Sequence, residues 1–187
     1  MERAPSQTRL SLETLRPLLK PQPFTGQMWV DITFLLLIGA LHSTILPAMF
    51  GRYILIDLMT PWLVCTFVAA PLFRSMVLGT FGALILETHT ACPAGMYMTA
   101  FWVIMSVLWL TRSTLSWRHA FPWAVTLFAA ELWVISFETF VMAVSEGSFH
   151  ISFLETFHQC VRLVVSTVVG MTFAQRFMRD GIAEEAA

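Results

Sequence analysis

Charge is what this sequence has least of. Of its 187 residues only 12% are charged, about half the share found in ordinary soluble domains. The net charge is −1, which leaves no basic surplus for binding nucleic acid or another polyanion. Cysteine is scarce as well. Cys65, Cys92 and Cys160 form no CxxC pair, and their odd number suggests no disulfide framework and no zinc spacing. No GxxxxGK or GxGxxG is present, so no phosphate-cradling loop is written into the chain. Serines, histidines and acids assemble no recognisable nucleophile triad. These absences point away from an enzyme and imply no cofactor and no metal.

What the sequence has is apolar length. It is 57% hydrophobic, with a mean hydropathy of +0.70. One soluble core of this size cannot hide that much apolar surface, whereas a bilayer solvates it. Each spanning helix needs about 20 mostly apolar residues, and six apolar runs separated by short links can be read along the chain. They cover about 29–50, 54–72, 76–87, 96–111, 120–144 and 150–177. The expected fold is an all-α membrane protein with six transmembrane helices. Its organisation is a polar segment 1–28, a transmembrane domain 29–178 and a tail 179–187. The third and fourth runs are short: sixteen residues rise about 24 Å against a hydrocarbon core of about 30 Å. One of them either spans a thin region or dips in and returns.

Segment 1–28 has no small-residue cleavage site after its basic stretch and does not read as a signal peptide. Leu12, Leu15 and Leu19 share one helical face, ended by Pro21 and Pro23. A short interfacial helix and a loose cytoplasmic tail are both consistent with this pattern. Orientation follows from basic residues near the helix ends. With the N-terminus inside, Arg3, Arg9, Arg16, Lys20, Arg74, Arg112, Arg118, Arg176 and Arg179 all fall on the cytoplasmic side, and only Arg52 falls outside. Five spans would carry one of these clusters across the membrane. Both termini are therefore expected in the cytoplasm.

Ionisable residues inside the spans are the candidate site, because each costs a few kcal/mol at the bilayer centre and must find a partner. Glu131 and Glu138 are seven apart and share one face of the fifth run. Glu155, His158, Gln159, Arg162 and Ser166 form a stripe on the sixth. The tight turn near Glu146-Gly147 makes these two runs antiparallel neighbours. Counting outward from the turn pairs Glu131 with Arg162 and Glu138 with His158, and leaves Glu155 nearer the outer surface. One reading is a proton relay or polar ligand site. The other is structural glue between two helices, and charge pairing alone accounts for the spacing. Elsewhere, Gly79, Gly82 and Ala83 allow close helix approach in the third run. His42 reads as a hydrogen-bonding histidine. His89 and Cys92 are two potential soft-metal ligands, too few to make a site.

Residues 53–112 resemble MreD, the rod shape-determining membrane protein family of bacteria. The resemblance rests on Tyr53-Ile-Leu-Ile-Asp57-Leu-Met-Thr-Pro61, then on Gly79-Thr-Phe-Gly82-Ala-Leu-Ile-Leu-Glu87, and on the turn Thr88-His-Thr-Ala-Cys-Pro93-Ala-Gly95. In the family an acidic residue, usually aspartate, ends the third helix, and a glycine follows eight positions later. Glu87 and Gly95 keep that spacing. Glutamate stands where aspartate is usual, the turn lacks the usual glycine, and the N-terminal segment is longer. The likeness covers about a third of the chain, and the other runs fit by length and hydropathy.

The resemblance implies a non-enzymatic scaffold of the cell elongation machinery in the bacterial cytoplasmic membrane, serving the maintenance of cell shape. Its partners would be an MreC-like single-span protein and, through it, MreB filaments and the peptidoglycan synthase RodA with its penicillin-binding protein. Asp57, Pro61, Gly79, Gly82, Glu87 and Gly95 would then be fold-locking or partner-contact residues. The family's fold is similar to the substrate-binding subunits of energy-coupling-factor vitamin transporters. This supplies the alternative, a small-molecule binding subunit with a pocket near the outer side. Trp62, Trp102, Trp109 and Trp133 would line such a pocket or belong to the lipid belt or the core. The short outer turns favour the scaffold.

Overall fold

The computed structural model describes residues 26–50, 56–90, 92–147 and 153–185, so most of segment 1–28, including the leucine face, lies outside it. The described residues are helical throughout, with short links and no strand. Helix α1 begins as Gly26–Ala40, passes through a π-helical turn at Leu41–Ile45 and resumes over Leu46–Phe50. The remaining helices are α2 (Met59–Ala69), α3 (Leu72–His89), α4 (Met96–Thr111), α5 (Ala120–Glu146) and α6 (Phe153–Glu185). Three segments are long and apolar enough to cross a membrane: Gly26–Ala48, Ala120–Ser145 and Phe153–Met178.

Helix α2 departs furthest from expectation. The apolar run 54–72 reads as a span, yet its helix has 11 residues and rises only about 16 Å. Pro61 is one cause. Proline lacks an N–H and is tolerated only where that donor has no helical partner, in the first turn. Pro61 is the third residue of α2, so the helix starts just before it and Ile56–Leu58 is non-helical. The far end is set by Pro71, which disfavours helix at the residue before it. Ala70 is extended, with ψ 158°.

The break expected at 71–75 is a sharp corner instead. Ser75 N–H donates to Pro71 O, so α3 starts at once. Arg74 therefore lies in the first turn of α3, the wrong end of the helix dipole for a cation. Asp31 of α1 offsets it in a half-buried ion pair. The tail expected over 179–187 also begins as helix, since α6 continues to Glu185.

Helix α2 sits at the centre, packed against every other helix. Its residues from Met59 to Phe67 are all buried, so it has no face for lipid. The helices around it turn large apolar side chains outward: Trp29 and Leu37 on α1, Val107 on α4, Phe128 and Phe140 on α5, Val164 and Val168 on α6. An apolar exterior of this extent suits hydrocarbon rather than water. Between helices the contacts are close, because lipid tails are as apolar as leucine and offer no hydrophobic drive to associate. A Cβ at Gly82 would lie 2.7 Å from Leu63, one at Gly79 3.0 Å from Phe67, and one at Gly170 2.9 Å from Pro61. These glycines are the seats into which α2 fits.

Candidate functional site

The non-helical entry to α2 creates a polar problem in the buried interior of the bundle. Irregular backbone there must be satisfied by protein. The side chain of Asp57 meets most of the demand. Its Oδ1 accepts the N–H groups of Met59 and Thr60, at 2.8 and 3.0 Å, and its Oδ2 accepts the Thr60 hydroxyl at 2.7 Å. A carboxylate here also has the right sign for the start of the helix. Two other helices complete the joint. Asp57 N–H donates to Ser166 Oγ on α6 at 3.2 Å. His42, within the π-helical turn of α1, donates from Nδ1 to Ile56 O at 3.1 Å.

Asp57 Oδ2 also meets Arg162, whose guanidinium is the hub of the site. Nη2 donates to Asp57 at 3.2 Å, Nε to Glu131 Oε1 at 3.2 Å and Nη1 to Glu138 Oε2 at 3.0 Å. One fork of donors thus joins α2, α5 and α6. The burial is uneven: Asp57 and Glu131 keep 2% and 1% of their side chains exposed, whereas Glu138 keeps 22%. Glu131 makes a single bond to the guanidinium, and its Oε2 has no hydrogen-bond partner.

Of the residues singled out in the sequence, Glu131 does reach Arg162. Glu138, expected to face His158, gives its carboxylate to Arg162 as well. The reason is reach. Glu131 and Glu138 lie two turns apart on one face, about 10 Å along the axis, and a long side chain between them meets both. His158 is half-buried one turn away on α6, its ring 6.3 Å from that of Phe157. The link from Arg162 to Asp57 was not visible in the sequence, and neither was the pair Asp31–Arg74. Asp57, a fold-locking or partner-contact residue by the resemblance, is fully enclosed.

Glu87 and Gly95 form a second joint. Glu87 closes α3, where a negative charge opposes the dipole. Its Oε1 accepts the N–H of Met98, in the first turn of α4, at 3.1 Å, so the acid ending one helix caps the next. Gly95 precedes α4 at φ +88°, a left-handed conformation that costs glycine little. The other candidates disperse. Trp62 lies in the core, its ring 5.5 Å from Phe34, while Trp102 and Trp133 are exposed. His89 Nδ1 donates to Ile85 O, and burial pushes the Cys92 thiol above its usual range, away from the thiolate a soft metal needs. Among the described residues no group of three His, Cys, Asp or Glu is arranged to hold a metal.

Chemically, the Arg162 cluster holds helices in register. Its donors and most of its acceptors are turned on one another. Comparison with family models, curated proteins and solved structures gives no match to this chain.

Proposed function

We propose that this chain is a non-enzymatic scaffold of the bacterial cell elongation machinery, held in the cytoplasmic membrane by six helical passes with both termini inside. One observation carries the reading. The residues that give the resemblance to MreD are also the joints of the bundle. Asp57 and Pro61 fix where α2 begins. Gly79 and Gly82 seat it against α3. Glu87 and Gly95 shape the corner into α4. Their order and spacing therefore serve a fixed shape, and a fixed shape is what a scaffold needs. The partner of first resort is an MreC-like single-span protein lying along the lipid-facing helices. Through it the chain connects MreB with RodA and its penicillin-binding protein.

The alternative, a vitamin-type binding subunit, draws on one feature: Glu138 keeps part of its carboxylate exposed beside Arg162, a polar point that a small ligand can reach. Purification of the tagged chain from its native cells in mild detergent, with mass spectrometry of both proteins and small molecules, separates the two. Enrichment of a single-span coiled-coil protein together with cell-wall synthases supports the scaffold. Recovery of an ATPase-driven coupling subunit or a stoichiometric vitamin sinks it.

A further inference from the structure

The Arg162 cluster leaves Glu131 incomplete. The Glu131 side chain is 1% exposed, and its Oε1 takes one donor, Arg162 Nε at 3.2 Å. Its Oε2 is sealed in the bundle with no hydrogen-bond partner among the described residues. Ser166 of α6, fully buried, stands beside the carboxyl. Its Oγ accepts the N–H of Asp57 and makes no bond to Oε2. An ionised carboxylate can only accept, and it has about four lone-pair sites to fill. In this pocket it fills one.

The neighbouring acids press the same way. Asp57 uses both oxygens as acceptors, for the N–H groups of Met59 and Thr60, the Thr60 hydroxyl and Arg162. Glu138 draws on the same guanidinium through Nη1. Glu131 therefore has a third share in one positive charge. Carboxylates that crowd one site do not all ionise readily, and an enclosed one without donors gives up its charge. Other titratable groups stand further out. His42 of α1 lies beside Asp57, and His158 is one turn from Arg162 on α6. Tyr97 of α4 and Cys92 of the link before it lie on the Glu138 side.

We propose that Glu131 is a proton-binding site: in the folded bundle at neutral pH its Oε2 carries a hydrogen, while its Oε1 still accepts Arg162 Nε. The proton comes from water and returns to it when the carboxyl ionises. The hydrogen gives Oε2 a donor to turn toward the second lone pair of Ser166 Oγ. Arg162 then serves two anions, Asp57 and Glu138. Loss of the proton puts a third anion on the guanidinium and weakens its hold on Asp57, and so on α2. The site does not depend on the scaffold reading or on any protein partner.

The test is infrared spectroscopy of the full chain in a maltoside detergent, which has no carbonyl of its own. A protonated carboxyl shows a carbonyl stretch that a carboxylate lacks. The folded wild type is expected to show this band at neutral pH, and glutamate labelled with carbon-13 at its side-chain carboxyl is expected to shift it. Glu131→Gln loses the band, and Glu138→Gln and Glu87→Gln keep it. Should Glu131→Gln fail to fold, the label shift in the wild type and survival of the band in the other two variants carry the assignment. Melting gives a second readout. A proton held by the folded chain and released on unfolding lowers stability as pH rises, by up to about tenfold in the folded-to-unfolded ratio per pH unit. Wild-type melting should therefore fall more steeply from neutral to alkaline pH than that of Glu131→Gln. Absence of the band from the folded wild type, its survival in Glu131→Gln, its loss in Glu138→Gln or Glu87→Gln, or equal slopes in the two melting series overturns the site. Higher melting in sodium chloride than in choline chloride at fixed pH overturns it as well, because the ligand is then a metal cation.

Discussion

Helix α2 is held in two different ways on its two sides. Toward α5 and α6 the grip is chiefly electrostatic, with Asp57 sharing Arg162 with Glu131 and Glu138. Toward α3 the grip is steric, with Leu63 and Phe67 lying on Gly82 and Gly79. The charged side is directional and fixes register, because a guanidinium satisfies three acids only at one height. The glycine side gives dispersion contact and tolerates sliding by small amounts. Inside a membrane, where apolar burial does not favour protein over lipid, the two grips are complementary: one chooses the arrangement and the other adheres.

Breaking the charged side should cost most. Arg162→Leu leaves three acids without their shared cation, two of them deeply enclosed. A loss of about 3–5 kcal/mol is expected, read as a collapse of the folded fraction in detergent size-exclusion profiles. A variant with wild-type melting behaviour would show that the hub does not hold the bundle. Next comes Asp57→Asn, which removes both the ion pair and the charged cap of α2, at about 2 kcal/mol. Measured in a double-mutant cycle with Arg162→Leu, it should show strong coupling.

The steric contacts are expected to be gentler, including the one that Gly170 of α6 makes with Pro61. Gly170→Ala places a methyl against the ring of Pro61, which cannot swing away, and costs about 1–3 kcal/mol. Gly79→Ala meets only the edge of Phe67 and should cost less by thermal melting. If Gly79→Ala proves the worse of the two, rigidity of the neighbour is not what sets the cost. Glu131→Gln sharpens the comparison from the other direction. Arg162 keeps Asp57 and Glu138, and Glu131 offers it a single bond, so the loss should stay near 1 kcal/mol. The smallest effect belongs to Glu87→Gln, which keeps an acceptor for Met98 N–H and gives up only its charge, at about 0.5 kcal/mol.

The sequence displayed some of this and concealed the rest, for definable reasons. Six apolar runs in order are a property of composition, and each contains a helix. The contact between Glu131 and Arg162 follows from counting along a hairpin, since antiparallel helices match residues equidistant from the turn. Counting misses the bond from Glu138 to Arg162 because it places backbones, while Arg162 reaches most of a turn along the axis. It fails for Asp57 because the contact spans 105 residues and requires α2 to begin late. Pro61 held that information. A proline directly after an acid-led Asp57-Leu-Met-Thr stretch marks a first turn rather than a helix interior.

The placement of Arg162 also bears on how the chain is made. Asp57 is made early in synthesis and its counter-charge late, 105 residues further on, on α6. Until then α2 is an 11-residue helix preceded by an acid that lacks its cation and its other walls. The second hydrophobic segment therefore cannot settle when it is made. Any chain interrupted before Arg162 therefore carries Asp57 without its cation, a mark by which an unfinished molecule differs from a finished one.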